Sequence, residues 1–302
     1  MIRHPLIHWL YLGALVLLWG SAFLLTRFAV SGLPPFTVVA GRLSIAALIL
    51  VPLVLLMGKK LPTDRRRWGF MLTLAITGNC VPFALLTWAQ QHIDSGLAGI
   101  YMSIMPLLVI VLAHFFVEGE TLTRQTLMGF LIGFCGMVVL FFPALSGMVT
   151  TDLIVVLAQF AALGTAICYG VSSIIIRRAP KTNPVVSTAM VMLMAAAIML
   201  PLAMGEQVDV TDIPLSAALA VLALGIGATA LATIILYKAI ADAGPSFVSM
   251  INYAIPVYAV FLGALVFGES LPGRAFVALA LILLGIAVSQ GRIGFRTKSP
   301  SH

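Results

Sequence analysis

The chain has 302 residues, 61% of them hydrophobic and only 9% charged, with a formal net charge of +7. A soluble domain is roughly a quarter charged, so 17 basic and 10 acidic side chains are too few to coat a water-facing fold of this length. Lipid must replace water over most of the outside, and the basic residues lie in short clusters rather than on one face, which argues against a nucleic-acid partner.

A crossing of about 30 Å of hydrocarbon takes roughly twenty apolar residues. That ruler predicts ten spans, at 9–28, 36–57, 68–90, 96–117, 125–142, 153–176, 185–204, 215–240, 246–267 and 274–290. The connections are short and rich in Gly, Pro, Asp and Asn, so no extramembrane domain is expected. Arg3 stands ahead of the first run as in a signal peptide, but the run is long enough to span and has no small-x-small cleavage site. It reads as a retained first helix.

With the N-terminus inside, the cytoplasmic segments hold Arg3, Lys59, Lys60, Arg65, Arg66, Arg67, Arg124, Arg177, Arg178, Lys181, Arg292, Arg296 and Lys298, which is 13 of the 17 basic residues. Loops on the other face carry Asp94, Asp152, Glu206, Asp209 and Asp212. Basic loops stay inside, so both termini are expected in the cytoplasm.

In chain order, the first candidate is Trp19 of Trp19-Gly20-Ser21, deep in span 1. Arg42 lies about two turns into span 2, where a charge at mid-depth costs roughly 2.5–3.5 kcal/mol. Its position lets it snorkel outward, and neither Arg42 nor Lys238 reads as a firm carboxylate clamp. Asn79 in span 3 stands beside Gly78, whose carbonyl loses its helical donor to Pro82. In span 4, Tyr101 and Ser103 precede Pro106, which frees the carbonyl of Met102. Tyr169 lies deep in span 6, and Asn252 and Tyr253 precede Pro256 in span 9.

Freed carbonyls survive in lipid only against protein or a water-filled cavity, and the symmetric prolines point to a cavity; a packing kink is the plainer alternative. The two amides could equally form interhelical hydrogen bonds. Deep aromatics could stack on a flat cargo, whereas Trp9, Tyr11 and Trp68 at span ends read as the interfacial belt. Gly129 and Gly133 form a GxxxG in span 5, suited to close packing within the fold or to a homodimer.

At an offset of 150 residues the chain resembles itself. Trp19-Gly20 faces Tyr169-Gly170, Arg27 faces Arg177, and Pro106 faces Pro256. After one residue drops out, Gly119-Glu120 matches Gly268-Glu269 and Gly136 matches Gly285. These matches involve Gly, Pro, Arg and Glu, which an apolar background would not supply by chance. Units of five spans each, 1–148 and 149–302, enter the membrane from opposite sides, the architecture of alternating-access carriers.

The paired units, the Trp19-Gly20-Ser21 motif, the fourth- and ninth-span prolines and the Gly-Glu turns resemble the EamA-type branch of the drug/metabolite transporter superfamily, over essentially the whole chain. That resemblance implies an all-α integral membrane basket of ten helices. Its central cavity would be formed by helices 1, 3, 4, 6, 8 and 9, and its activity would be export of small metabolites. Length and aromatic content look closest to the aromatic and neutral amino-acid exporters. Tyr169 and Val171 replace Trp19 and Ser21 in the second unit, where the motif is degraded.

Absences narrow the chemistry. No Asp or Glu falls in the central part of a span, where proton coupling usually needs one, so uniport or exchange is expected. The five histidines sit mostly at ends, with no HExxH and no Ser-His-Asp set, against an intramembrane enzyme. Cys80, Cys135 and Cys168 are scattered without ligand spacing, so no metal and no cofactor is indicated.

Overall fold

The computed structural model describes residues 5–60, 62, 64–145, 152–209 and 212–291. The boundary expected at 148/149 lies outside the described residues, as do Arg3, Arg292, Arg296 and Lys298.

The chain is all helical, with no strand among the described residues. Among the described residues eight helices are long and apolar enough to cross a membrane: α1 (Leu6–Val30), α2 (Pro35–Leu56), α3 (Arg65–Ala89), α4 (Ser95–Phe116), α5 (Arg124–Leu145), α6 (Leu153–Arg178), α7 (Pro184–Met204) and α8 (Leu215–Ala243). Two shorter apolar helices follow, α9 (Ile251–Phe267), preceded by the turn Pro245–Val248, and α10 (Gly273–Ser289). They complete a ten-helix membrane fold.

Local chemistry sets the helix starts. Pro35 and Pro184 open α2 and α7, where a missing N–H costs nothing. Asp64, Asp152 and Asn183 cap the first turns of α3, α6 and α7 through their side chains. The Gly-Glu turns have a backbone cause: Gly119 and Gly268 sit at φ 84° and 64°, left-handed values that disfavour a side chain.

Contacts between helix ends show the direction alternating. On the side where α1 begins (the near side), Tyr11 reaches Asp242 and Gln125 donates to the Val288 carbonyl. On the far side, Arg27 donates to the carbonyls of Gln90 and Ile93 at the end of α3. There too, Glu206 accepts from the amides of Phe36 and Thr37 at the start of α2.

The fold is packed inside out relative to a soluble protein. Leu48, Leu56, Phe115, Met204 and Leu265 face outward, each 66% exposed or more, as a lipid-facing shell requires. The interior is rich in small residues that let helices approach, with Ala46, Ala47, Ala189, Ala195 and Ala196 buried in the cluster joining α2 and α7. The GxxxG of α5 is used within the chain. A Cβ on Gly129 would meet the backbone of Gly285 and Ser289 on α10, and one on Gly133 would strike Leu107. The face considered for a homodimer is thus covered by α10 and α4.

Candidate functional site

A cavity of about 350 Å³ lies among the helices, within the range of small-molecule pockets, roughly 300–1,000 Å³. The resemblance implied walls from helices 1, 3, 4, 6, 8 and 9, and all six contribute. Two more do so as well: α2 through Arg42 and α7 through Met192.

Most of the wall consists of residues 150 positions apart: Trp19 with Tyr169, Arg42 with Met192, Gly78 with Ala228, Asn79 with Thr229, Phe83 with Thr233, Met102 with Asn252, Met105 with Ile255, and Pro106 with Pro256. Both halves therefore bring the same helix positions to one space.

Local winding explains two of these pairs. Residues Ile76–Cys80 of α3 and Leu224–Leu231 of α8 are wound as π-helix, an expansion common at functional sites. In each, a polar side chain reaches back five residues. Asn79 Nδ2 donates to the Leu74 carbonyl at 3.4 Å, and Thr229 Oγ1 donates to the Leu224 carbonyl at 2.9 Å. The wider turn in α3 lies just ahead of Pro82, which cannot continue the ordinary bonding pattern.

Of the sequence-derived site residues, Trp19, Asn79, Ser103, Tyr169, Asn252, Pro106 and Pro256 stand in the wall. Trp19 Nε1 donates to the Ala228 carbonyl at 3.1 Å, joining α1 to the π-segment of α8. Ser103 Oγ turns back to the Ile100 carbonyl at 2.6 Å, at the break within α4.

Tyr101 and Tyr253 do not line the cavity. Tyr101 is fully buried in the main packing cluster, its ring centroid 5.1 Å from that of Phe141 on α5. Successive residues of a helix face different ways, and Met102 and Ser103 take the cavity face that Tyr101 leaves. Tyr253 reaches the other way, donating from its hydroxyl to Gln290 Oε1 at 3.1 Å.

Arg42 departs most from the sequence reading. Instead of snorkelling outward it is 8% exposed and turned into the cavity. Its Nε donates to Thr229 Oγ1 at 2.7 Å, and its guanidinium carbon lies 3.8 Å from the centre of the Phe83 ring. Both partners belong to helices far away in sequence, so position along α2 could not disclose them. The clue that was available is cost: a charge that deep in a span needs a reason. Lys238, by contrast, is exposed.

Toward the far side the wall residues Phe23, Thr26, Leu86 and Gly99 are buried, whereas Tyr169, Thr233, Asn252 and Ile255 remain half-buried. At the same far end α4 and α9 are pressed together, with Gly99 against Ala259 and Gly96 against the Val260 backbone.

Comparison with known proteins agrees with this architecture. The chain is 26% identical to an uncharacterized transporter of Archaeoglobus fulgidus over 283 residues, covering 93% of this chain and 97% of that protein. It is 27% identical over 295 residues to the uncharacterized inner membrane transporter YedA of Escherichia coli K12, covering 95% and 92% of the two. The uncharacterized transporter YoaV of Bacillus subtilis is 22% identical over 275 residues, covering 90% and 93%. A crystal structure of a protein 25% identical in sequence superposes with a TM-score of 0.66 over 93% of this chain and 96% of that one. Residues 7–142 and again 156–290 match a single family description, so this multi-pass membrane protein is a transporter and the chain belongs to the EamA-like transporter family.

Proposed function

We propose that the protein is a secondary carrier of the cytoplasmic membrane. It exports small metabolites, foremost aromatic or neutral amino acids, by alternating access. The observation that carries this reading is the shared cavity, whose wall pairs residues 150 positions apart on helices that run in opposite directions. Two inverted five-helix units, 1–148 and 149–302, account for that pairing, and such units rock around a central site in carriers. Pro106 and Pro256 serve as the pivots. With the loop charges placing the near side in the cytoplasm, the buried far end and half-buried near end correspond to an inward-facing state.

The wall suits a cargo with a flat apolar body. Trp19, Phe23, Phe83 and Tyr169 supply aromatic surface, and Asn79, Ser103 and Asn252 supply uncharged polar groups. Three methionines, Met102, Met105 and Met192, also line it. Such adaptable side chains favour a second reading, a broader drug or metabolite exporter. No Asp or Glu stands in the wall among the described residues, which favours uniport or exchange over proton antiport.

Purified protein in liposomes tests the reading. Saturable counterflow of labelled neutral or aromatic amino acids, independent of a proton gradient, is the expected result. No saturable flux of any amino acid or cationic dye refutes the carrier; obligatory proton-driven uphill transport refutes uniport and exchange.

A further inference from the structure

Arg42 is the single charged residue of the cavity wall, and none of the chain's ten acidic residues stands opposite it among the described residues. A guanidinium offers five N–H donors. Among the described residues only Nε is taken, by Thr229 Oγ1 at 2.7 Å. Thr229 has already committed its own proton to the Leu224 carbonyl, so it faces Arg42 purely as an acceptor. The Phe83 ring covers the guanidinium, 3.8 Å from ring centre to guanidinium carbon. The four N–H groups on the terminal nitrogens have no protein acceptor among the described residues.

The wall's own symmetry points to the same residue. Trp19 is matched by Tyr169, Gly78 by Ala228, and Pro106 by Pro256, like for like. Arg42 is matched by Met192, the one pair in which an apolar side chain stands against a charge. A buried cation without a counter-ion is costly to keep, and its planar fork fits a carboxylate through two parallel hydrogen bonds.

We infer that Arg42 anchors a carboxylate of the cargo, and that the cargo must carry one. Thr229 and Phe83 hold the fork in place across the two halves of the chain, and the aromatic and methionine surface takes the cargo's apolar body. No anion in the wall calls for an ammonium group, so a deaminated acid with the same side chain is accepted as well as the amino acid. The inference deepens the carrier reading and rests on it for transport.

The test separates binding from flux. Three probes of one shape are titrated into the purified wild-type protein and followed by calorimetry: L-phenylalanine, 3-phenylpropionate and L-phenylalaninamide. Both acids are expected to bind, and the amide to bind at least about 30-fold more weakly, about 2 kcal/mol at 1.4 kcal/mol per tenfold. Arg42→Gln is expected to lose the preference for the acids, and Arg42→Lys to keep part of it as a point charge. If Arg42→Gln does not fold, the wild-type comparison of acid with amide decides alone. Binding of the amide within about threefold of the acids, or failure of both acids to bind at millimolar concentration, overturns the inference. Liposome flux reads the carrier separately. Acids that bind through Arg42 but never cross sink the carrier reading alone, whereas saturable flux of the amide or a cationic dye without acid preference sinks the role of Arg42 alone.

Discussion

Glu269 caps the first turn of α4 at Ser95: its Oε1 accepts both the Ser95 backbone N–H, at 2.9 Å, and the Ser95 hydroxyl, at 2.8 Å. Oε2 accepts the Gly96 N–H at 2.9 Å. A carboxylate at the end of α9 thus holds the positive end of a helix in the other half of the chain. Its sequence counterpart Glu120, on the near side, does something else. It pairs with Arg177 at 2.8 Å, with both side chains about half exposed.

In the proposed alternating-access cycle, this asymmetry would make Glu269 a latch on the far end. Glu269→Ala is expected to lower stability by about 1–2 kcal/mol, the usual cost of a lost cap, read as a fall in melting temperature in detergent. It should also expose Thr26→Cys, buried at the far end of the cavity wall, to an impermeant thiol reagent in an otherwise cysteine-free protein. Unchanged protection of that cysteine would show that the seal does not depend on Glu269.

Asp94 sits beside this latch. Burial, and then the nearby Glu269, push its carboxyl above the ordinary carboxylate range, while Arg27 pulls the other way. A raised value means the folded chain holds the proton more tightly than the unfolded one. The stabilising share is therefore complete below the ordinary value of about 3.9, and it is lost as pH rises through the raised one. Asp94→Asn is expected to melt higher than wild type at neutral pH, with the gap closing on acidification. A gap that is constant from pH 4 to 8 would contradict the assignment.

Tyr101 buries its hydroxyl without a hydrogen-bond partner among the described residues. An unsatisfied buried polar group costs about 1–3 kcal/mol, so Tyr101→Phe should leave stability equal or raise it, and should leave transport unchanged. A fall in flux at unchanged melting temperature would return Tyr101 to the binding site.

Close packing of α5 on α10 makes Gly129 sensitive. Gly129→Ala places a methyl group against the Gly285 carbonyl and the Ser289 amide, backbone atoms that cannot swing aside, and overpacking of this kind costs about 1–3 kcal/mol. Gly13→Ala is the control, because nothing lies within 4 Å of its new Cβ. The comparison is of melting temperatures: a large fall for Gly129→Ala, none for Gly13→Ala.

Hydropathy alone determined that this is a membrane protein of ten helices, because spanning lipid requires long apolar runs and leaves no other place for them. Repetition of Pro106 as Pro256 also marked positions that face the shared space, since freed carbonyls are tolerated only against protein or water, whereas the repeated Gly-Glu pairs mark turns at helix ends. Trp19, Asn79, Tyr169 and Asn252 were legible on those grounds.

Tertiary structure decided what the side chains do. Tyr101 and Met102 are neighbours in sequence, and only the packing of α4 against α5 sends one into the core and the other into the cavity. Arg42 reads as an interfacial cation along α2, because depth within one helix says nothing about Thr229 on α8 or Phe83 on α3. Glu120 and Glu269 occupy equivalent turns, yet one meets Arg177 and the other the amides of α4. Which partner each finds is a property of how the helices pack around it, and that is energy shared between helices distant in sequence, not a preference of any one of them.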